Sequence, residues 1–311
     1  MTSPSASGTS QSTATRAPQL NGLTEPVRSS AVTRLTGSLS LVLPAHNEEA
    51  NIEVVVSQAL AALPRFTDEF EIIVINDGSR DRTAEILEAL ARRDARVKPV
   101  HHKVNRGYGG ALTTGFKAST GDYVMFMDAD RQFDINDLAL LTPFANRFDM
   151  VAGFRKERHD PIHRRINALV FNLAVRTLFG IHLYDIDCAF KLFRGELIRS
   201  MDLKAPGALI NTEIQAKARR QGATLEQVGV NHYPRVAGTA TGGNWRVIAR
   251  AMKETLLLWW RMHFYEPPVD AREPRAPYVF GDAVVATGSL VGVGLLRRTW
   301  RRVIRRGSSS R

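Results

Sequence analysis

The feature that most constrains this chain is a plan repeated along its first half: a short apolar run, a polar turn, then a helical pattern. "SLSLVLPAHNEEANIEVVVSQAL" supplies an apolar run over Leu39 to Leu43, stopped by Pro44, with helical spacing from near Glu48. "FEIIVINDGSRDRTAEILEALARR" repeats it with a strand at Glu71 to Ile75 and a helix from about Arg82. "VKPVHHKVNRGYGGALTTGFKAS" gives a short third strand, a glycine-rich loop and a helix. "DYVMFMDADRQFDINDLALL" gives a fourth strand whose apolar residues end abruptly at two carboxylates, Asp128 and Asp130. Strands alternating with helices predict an α/β fold, a parallel sheet covered on both faces. Such sheets bind ligands beyond the carboxyl ends of their strands. Asn47, Asp77 and the Asp128–Asp130 pair all fall there, after three separate strands, and point to one cleft.

"DMVAGFR" predicts a fifth strand, and residues 163–179 a helix with apolar Ile166, Leu169, Val170, Leu173 and Ala174 on one face. "YDIDCAFKLFRGELI" reads as a turn and a strand, "NTEIQAKARRQG" as a helix closed by Gly222, and "TLEQVGVNHY" as a further strand. Residues 244–264 predict a long helix ended by Pro267 and Pro268. On it Arg246, Arg250, Lys253 and Arg261 share a narrow stripe beside the block Leu256 to Trp260. That pattern suits the headgroup boundary of a bilayer and equally suits packing against the domain.

The 311 residues carry 42 Lys and Arg against 31 Asp and Glu, a net charge of +11 that draws polyanions: nucleic acid, phosphorylated substrates or an anionic membrane. One cysteine, Cys188, excludes an intrachain disulfide framework and a Cys-based zinc site. Residues 1–37, rich in Ser, Thr, Pro and Ala, read as a disordered leader without a secretory apolar segment. The apolar stretch 283–296 is shorter than the ~20 residues of a membrane span. It precedes "RRTWRRVIRRGSSSR", with seven arginines and no acid. This predicts either a shallow anchor at the cytoplasmic membrane face or a plain basic tail. The expected organisation is a leader (1–37), a catalytic domain (38–242), an amphipathic interfacial helix (243–266) and a basic tail (267–311).

Two carboxylates one residue apart repel when ionised, and a divalent cation cancels that repulsion. Mg²⁺ or Mn²⁺ takes one or two carboxylates together with substrate phosphates and water. Asp77, in "NDGSRD", fits a turn-and-cap residue or an acceptor for a nucleotide NH or ribose hydroxyl. "GYGGALTTG" matches neither the P-loop nor the dinucleotide fingerprint, which disfavours an ATPase or a nicotinamide enzyme.

"LVLPAHNEEANI", "IIVINDGSRDRT", "NRGYGGALTTGF", "MDADRQFD" and "DCAFKLFR", in this order and spacing, resemble family 2 glycosyltransferases of the GT-A fold. More closely, they resemble dolichyl- or polyprenyl-phosphate sugar synthases, over about residues 38 to 260. The resemblance implies an open, mixed, mostly parallel sheet flanked by helices with a Rossmann-like nucleotide-binding core. It implies that Pro44, Ala45, Asn47, Glu48 and Asp77 line a nucleotide pocket. Asp128 and Asp130 would serve the nucleotide-sugar and metal, with Gln132 beside the metal. Arg106, Gly107 and Gly110 would lie near the sugar or diphosphate. Arg155, with Arg164 or Arg165, would hold an acceptor phosphate. Ala168 stands where relatives often carry Ser, which removes one hydrogen bond to that phosphate.

The function so implied is inverting, Mg- or Mn-dependent transfer from UDP-glucose or GDP-mannose to a polyprenyl phosphate at a membrane surface. "DCAFKLF" resembles the dolichyl-phosphate glucosyltransferase pattern "CGFKLF", and that resemblance tilts the donor toward glucose. A lipid phosphate is already anionic and needs no base. A hydroxyl acceptor would need one, from Asp185, Asp187 or Glu213. Glu213 is expected in the site on the acceptor side, or else as an acid at a helix N-terminus. Nucleic-acid binding through the basic excess is the reading from another class. No nucleic-acid motif is present, and no such partner is expected.

Overall fold

The computed structural model describes residues 32–156, 171, 173–234, 245–264, 279–280 and 283–284. The first four strands follow the alternation of the sequence. They are β1 (Leu39–Ala45), β2 (Phe70–Asn76), β3 (Val97–His101) and β4 (Tyr123–Met127). The helices between them are α1 (Ile52–Ala62), α2 (Thr83–Arg93) and α3 (Tyr108–Ala118). In α2 the spacing of Thr83, Leu87 and Leu90 makes one buried stripe, while Glu85 opens the helix and Arg92 and Arg93 close it, each suiting the helix dipole. Helix α4 (Leu138–Ala145) and strand β5 (Met150–Arg155) follow. Helix α5 is described at 173–179. Then come β6 (Phe190–Arg194), α6 (Gly195–Arg199), α7 (Ile210–Arg220), β7 (Leu225–Val230) and α8 (Trp245–Phe264). A two-stranded ladder joins β8 (Val279–Phe280) to β9 (Ala283–Val284).

Seven strands form one sheet in the order β3-β2-β1-β4-β6-β5-β7. The pairs β1–β2, β1–β4, β2–β3 and β5–β7 are parallel, and β6 runs antiparallel to both neighbours. The sheet is thus mixed and mostly parallel, as expected. Strands 2 and 3 lie to one side of β1 and β4 to the other, so the order reverses between β1 and β4. That switch point is where a crevice opens at the strands' carboxyl ends. Both faces are covered: all five residues of β4 are buried, and Phe116 of α3 packs on Phe126 and Phe193 with ring centroids 5.8 and 6.2 Å away.

Several boundaries differ from the sequence expectation. Helix α1 starts at Ile52 and not near Glu48, and β2 extends by one residue at each end. Two further differences have a physical reason. Strand β1 runs through Pro44 to Ala45 instead of stopping at Leu43. Its pairing with β4 ends at Val42, so Pro44 lies beyond that ladder, where a missing N–H does less harm. The folded domain also begins before residue 38. The Leu35 side chain is buried in the core, its N–H donates to the Phe66 carbonyl at 2.8 Å, and Thr36 lies 3.1 Å from the Tyr123 hydroxyl. Residues 1–31 of the expected leader, the Arg164/Arg165 pair with Ala168, and most of the tail lie outside the described residues.

Candidate active site

The cleft is built by loops at the carboxyl ends of β1, β2 and β4. The first two are laced together. The Asn47 and Glu48 amides donate to Ser79 Oγ and Thr83 Oγ1, each at 2.9 Å. Asn47 Oδ1 accepts from the Arg80 amide at 2.8 Å, and Glu48 Oε2 accepts from Asn51 at 2.7 Å. Asn47 has φ 58°, a left-handed conformation that asparagine tolerates better than most side chains. Pro44 is half-buried and Ala45 buried, so these two shape the floor of the cleft more than its surface.

Asp77 follows β2 and is buried. Its Oδ1 accepts from the Arg106 amide at 2.8 Å and its Oδ2 from the Gly107 amide at 2.9 Å. His102 Nδ1 lies 2.6 Å from Oδ1 and its Nε2 is 2.9 Å from Thr114 Oγ1. The carboxylate expected to face a nucleotide therefore braces the turn carrying Arg106 and Gly107. The side chain of Arg106 is exposed beyond that turn.

Asp128 and Asp130 leave the end of β4, at the switch point. Asp128 is half-buried and Asp130 only 4% exposed. Asp130 Oδ1 accepts from the Gln132 amide at 3.1 Å. Gln132 is clasped to Tyr233, its carbonyl accepting from the Tyr233 amide at 2.8 Å and its Nε2 donating to the Tyr233 carbonyl at 3.2 Å. Arg131 between them has φ 64°. Among the described residues, Asn47 and Arg131 alone combine a side chain with positive φ, and both flank the cleft, the kind of place where backbone strain collects. Tyr108 donates to Asp128. Burial first, then the charge and hydrogen bond of Asp128, hold the Tyr108 phenol well above its ordinary pKa. No three His, Cys, Asp or Glu side chains converge as a metal cage among the described residues. A cation held by the Asp128–Asp130 pair would complete its shell with phosphate oxygens and water, as Mg²⁺ and Mn²⁺ do.

A fold of this order with a carboxylate pair after β4 has known counterparts. Residues 40–202 match the model described as "Glycosyl transferase family 2". The chain belongs to glycosyl transferase family 2. Among its relatives, an undecaprenyl-phosphate 4-deoxy-4-formamido-L-arabinose transferase of Pseudomonas aeruginosa is 36% identical over 166 residues, covering 52% of this chain and 49% of that one. Glycosyltransferase AglD of Haloferax volcanii is 30% identical over 245 residues, 76% of this chain and 39% of that one. The chain thus spans about half or less of the length of the curated relatives it matches. Among solved structures, glucosyl-3-phosphoglycerate synthase from Mycobacterium tuberculosis with Mn²⁺, UDP and phosphoglyceric acid superposes with TM-score 0.53 at 23% identity. That match covers 72% of this chain and 77% of that one. The architecture is the GT-A fold.

On the other side of the sheet switch, this family 2 chain pairs two residues for which the sequence offered separate roles. Arg155, at the end of β5, donates through Nε and one Nη to the two oxygens of Asp185 at 2.6 and 2.9 Å. Burial pulls the Arg155 pKa down, but the Asp185 carboxylate more than offsets it and the net shift is upward. Asp187 is exposed. Glu213, expected at the acceptor side, is fully buried inside α7. It accepts from the Lys204 and Ala205 amides at 2.9 and 2.7 Å and pairs with Arg261 and Lys217 at 2.9 and 3.0 Å. Its surroundings are those of a structural node, not of an open general base. Arg261 accordingly leaves the basic stripe read on α8.

Lys191 was missed by the sequence reading. It is fully buried on β6, bonded to the Ile186 and Cys188 carbonyls and 3.3 Å from Asn211 Oδ1, with the Phe126 ring 5.3 Å away. Desolvation lowers its pKa. Its lysine ties down the turn bearing Asp185 and Asp187. The signal was present in "FKLF": Phe193 shares its face, and a phenylalanine on that face marks it as buried. Burial also pushes the neighbouring Cys188 thiol up to about 12, in keeping with a packed, unreactive side chain.

Proposed function

We propose that this glycosyltransferase moves a sugar, with inversion, from a nucleoside-diphosphate sugar to the phosphate of a polyprenyl phosphate. The observation that carries the reading is the Asp128–Asp130 pair at the β1/β4 switch point, opposite the laced loops of Asn47, Glu48 and Asp77. A Mg²⁺ or Mn²⁺ ion bound by that pair, with Gln132 close by, would neutralise the departing diphosphate as a Lewis acid. Support comes from the relatives named as undecaprenyl-phosphate transferases and from the Mn²⁺ and UDP in the structural neighbour. UDP-glucose is the leading donor and GDP-mannose the second.

The chain's own residues divide the remaining work. Arg106 stands over the glycine turn, where it can meet the donor. Arg155, oriented by Asp185, is assigned to the acceptor phosphate together with Arg165, which lies outside the described residues. A guanidinium suits a phosphate because it can donate two parallel hydrogen bonds. A phosphate monoester oxygen is already a nucleophile near neutral pH. Of the three candidate bases, Asp185 and Glu213 are buried and held by arginine. A hydroxyl acceptor would rest on Asp187.

The exposed face of α8 supports a membrane-borne acceptor. Leu256, Leu257, Trp260 and Phe264 are each about half exposed, while Leu258 and Met262 pack beneath against Val175, Ile181 and Ile186. Two-sided apolar character of this kind suits a helix lying in a lipid interface. Among the described residues no helix is long and apolar enough to cross a membrane.

The test is incubation of the full chain with polyprenyl-phosphate vesicles and radiolabelled UDP-glucose or GDP-mannose, with Mn²⁺ or with EDTA. Label should pass into the organic phase from one donor and be abolished by EDTA. If neither donor labels lipid, the phosphate-acceptor reading is wrong.

A further inference from the structure

Glu213 raises a question that the chemistry of transfer leaves open: why a carboxylate with no solvent exposure should sit in the first turn of α7 and draw four donors. Its two oxygens divide the work. Oε2 takes the consecutive amides of Lys204 and Ala205, and Oε1 takes Arg261 of α8 and Lys217 of its own helix. The amides belong to the loop 204–207, and that loop grips the start of α3. The Pro206 carbonyl accepts from the Gly109 amide at 2.8 Å and from the Gly110 amide at 3.3 Å. Contact is so close that a Cβ on Gly107 would lie 2.5 Å from the Pro206 oxygen, and one on Gly109 would collide with the Ala205 oxygen. Gly107 and Gly109 of "GYGG" are thus required by this loop. Between them Tyr108 reaches Asp128.

We infer that Glu213 is a positioning residue that links α8 to the donor cleft, through the loop 204–207 and the glycine turn at the head of α3. The inference rests on the proposed reading of that cleft as the donor site. Each step in the link is a hydrogen bond or a close packing contact: Arg261 to Glu213, Glu213 to the 204 and 205 amides, Pro206 to the 109 and 110 amides, Tyr108 to Asp128. Arg261 is the contribution of α8. Its side chain is about a third exposed while Glu213 is not exposed at all, so the helix can loosen without unfolding the node. Whatever shifts α8, a lipid surface under Leu257 and Trp260 included, alters the tension on one carboxylate and through it the placing of Tyr108 beside the acidic pair.

The test measures amide hydrogen exchange over residues 107–111 in the full chain, wild type against Arg261→Met, Arg261→Lys and Glu213→Gln, with calorimetric binding of UDP and Mn²⁺ alongside. Arg261→Met should speed exchange there and weaken UDP–Mn²⁺ binding, each by about tenfold, the scale of couplings carried along packed networks. Exchange in β1 should be unchanged, and Arg261→Lys should restore most of the loss. If Glu213→Gln fails to fold, Arg261→Met alone decides. Unchanged exchange at 107–111 in folded Arg261→Met would overturn the link. Should the wild-type chain bind no UDP with Mn²⁺, the donor reading fails by itself, because the exchange comparison needs no nucleotide.

Discussion

Arg155 and Asp185, thirty residues apart, meet through two parallel hydrogen bonds of 2.6 and 2.9 Å, with the Asp185 side chain 5% exposed. Breaking one side of such a pair leaves a buried charge without compensation. Arg155→Ala should therefore destabilise the chain by roughly 3 kcal/mol or more in urea unfolding, in addition to any loss of transfer. Asp185→Asn keeps the volume and one of the two acceptor oxygens and should cost less. Equal stability of Arg155→Ala and wild type would show that the pair is not formed in solution.

The acidic pair should separate activity from folding. Asp130→Ala is expected to reduce transfer by about 10²–10³-fold, the scale of losing one preorganised electrostatic contact. Its circular dichroism and melting should remain close to wild type. Turnover retained in this variant would count heavily against a cation at that position.

Glycine packing gives a paired comparison. Gly109→Ala drives a methyl into the Ala205 carbonyl, whereas at Gly207 an added methyl meets nothing within 4 Å. Gly109→Ala should cost about 1–3 kcal/mol of stability, and Gly207→Ala should stay within about 0.5 kcal/mol of wild type. Chemical denaturation of both variants under one set of conditions checks the contrast.

Glu71 supplies a pH dependence far from the cleft. It accepts from Ser40 at 2.6 Å, from the Thr120 amide and hydroxyl at 2.8 Å each, and from Lys98 at 2.6 Å. Burial raises its pKa, but Lys98 and these hydrogen bonds outweigh it and bring the group from 4.5 down to about 2. Its stabilisation is complete above 4.5 and disappears as the pH falls toward 2. Glu71→Gln should be less stable than wild type by about 3 kcal/mol at pH 7, with the gap closing between pH 4.5 and 2. A gap that is flat across this range would refute the assignment.

For the membrane, the double change Leu257→Glu and Trp260→Glu should lower partition onto anionic vesicles by about tenfold or more. Flotation against a sucrose gradient measures it. Unaltered flotation would move the lipid contact to another surface.

The first half of the fold was legible because each strand there is a continuous apolar run with its own polar turn, and local pattern decides both. The placement of β6 was not. Nothing in "FKLF" states that the strand inserts antiparallel between β4 and β5, since partner and direction are set by a sheet assembled from distant segments. The site divides in the same way. Asp128 and Asp130 could be found from adjacency alone. Arg155 and Asp185 appeared as two independent candidates, and Glu213 as an acid near a helix start, because each is defined by a partner 30 or 48 residues away. Asp77 showed its position but not its direction: a turn residue and a nucleotide acceptor look identical until the amides of Arg106 and Gly107 are seen to approach it.

One consequence follows from the grip of Pro206 on the head of α3. A free helix start offers unfilled amides to an anion, and here two of those amides already answer to a carbonyl of the same chain. A donor pyrophosphate in the crevice would find the 109 and 110 amides already taken. Under the function proposed above, its charge would then fall to arginine side chains and to an ion drawn from solution, and a proline's oxygen behind a glycine turn would sharpen the need for dissolved cation.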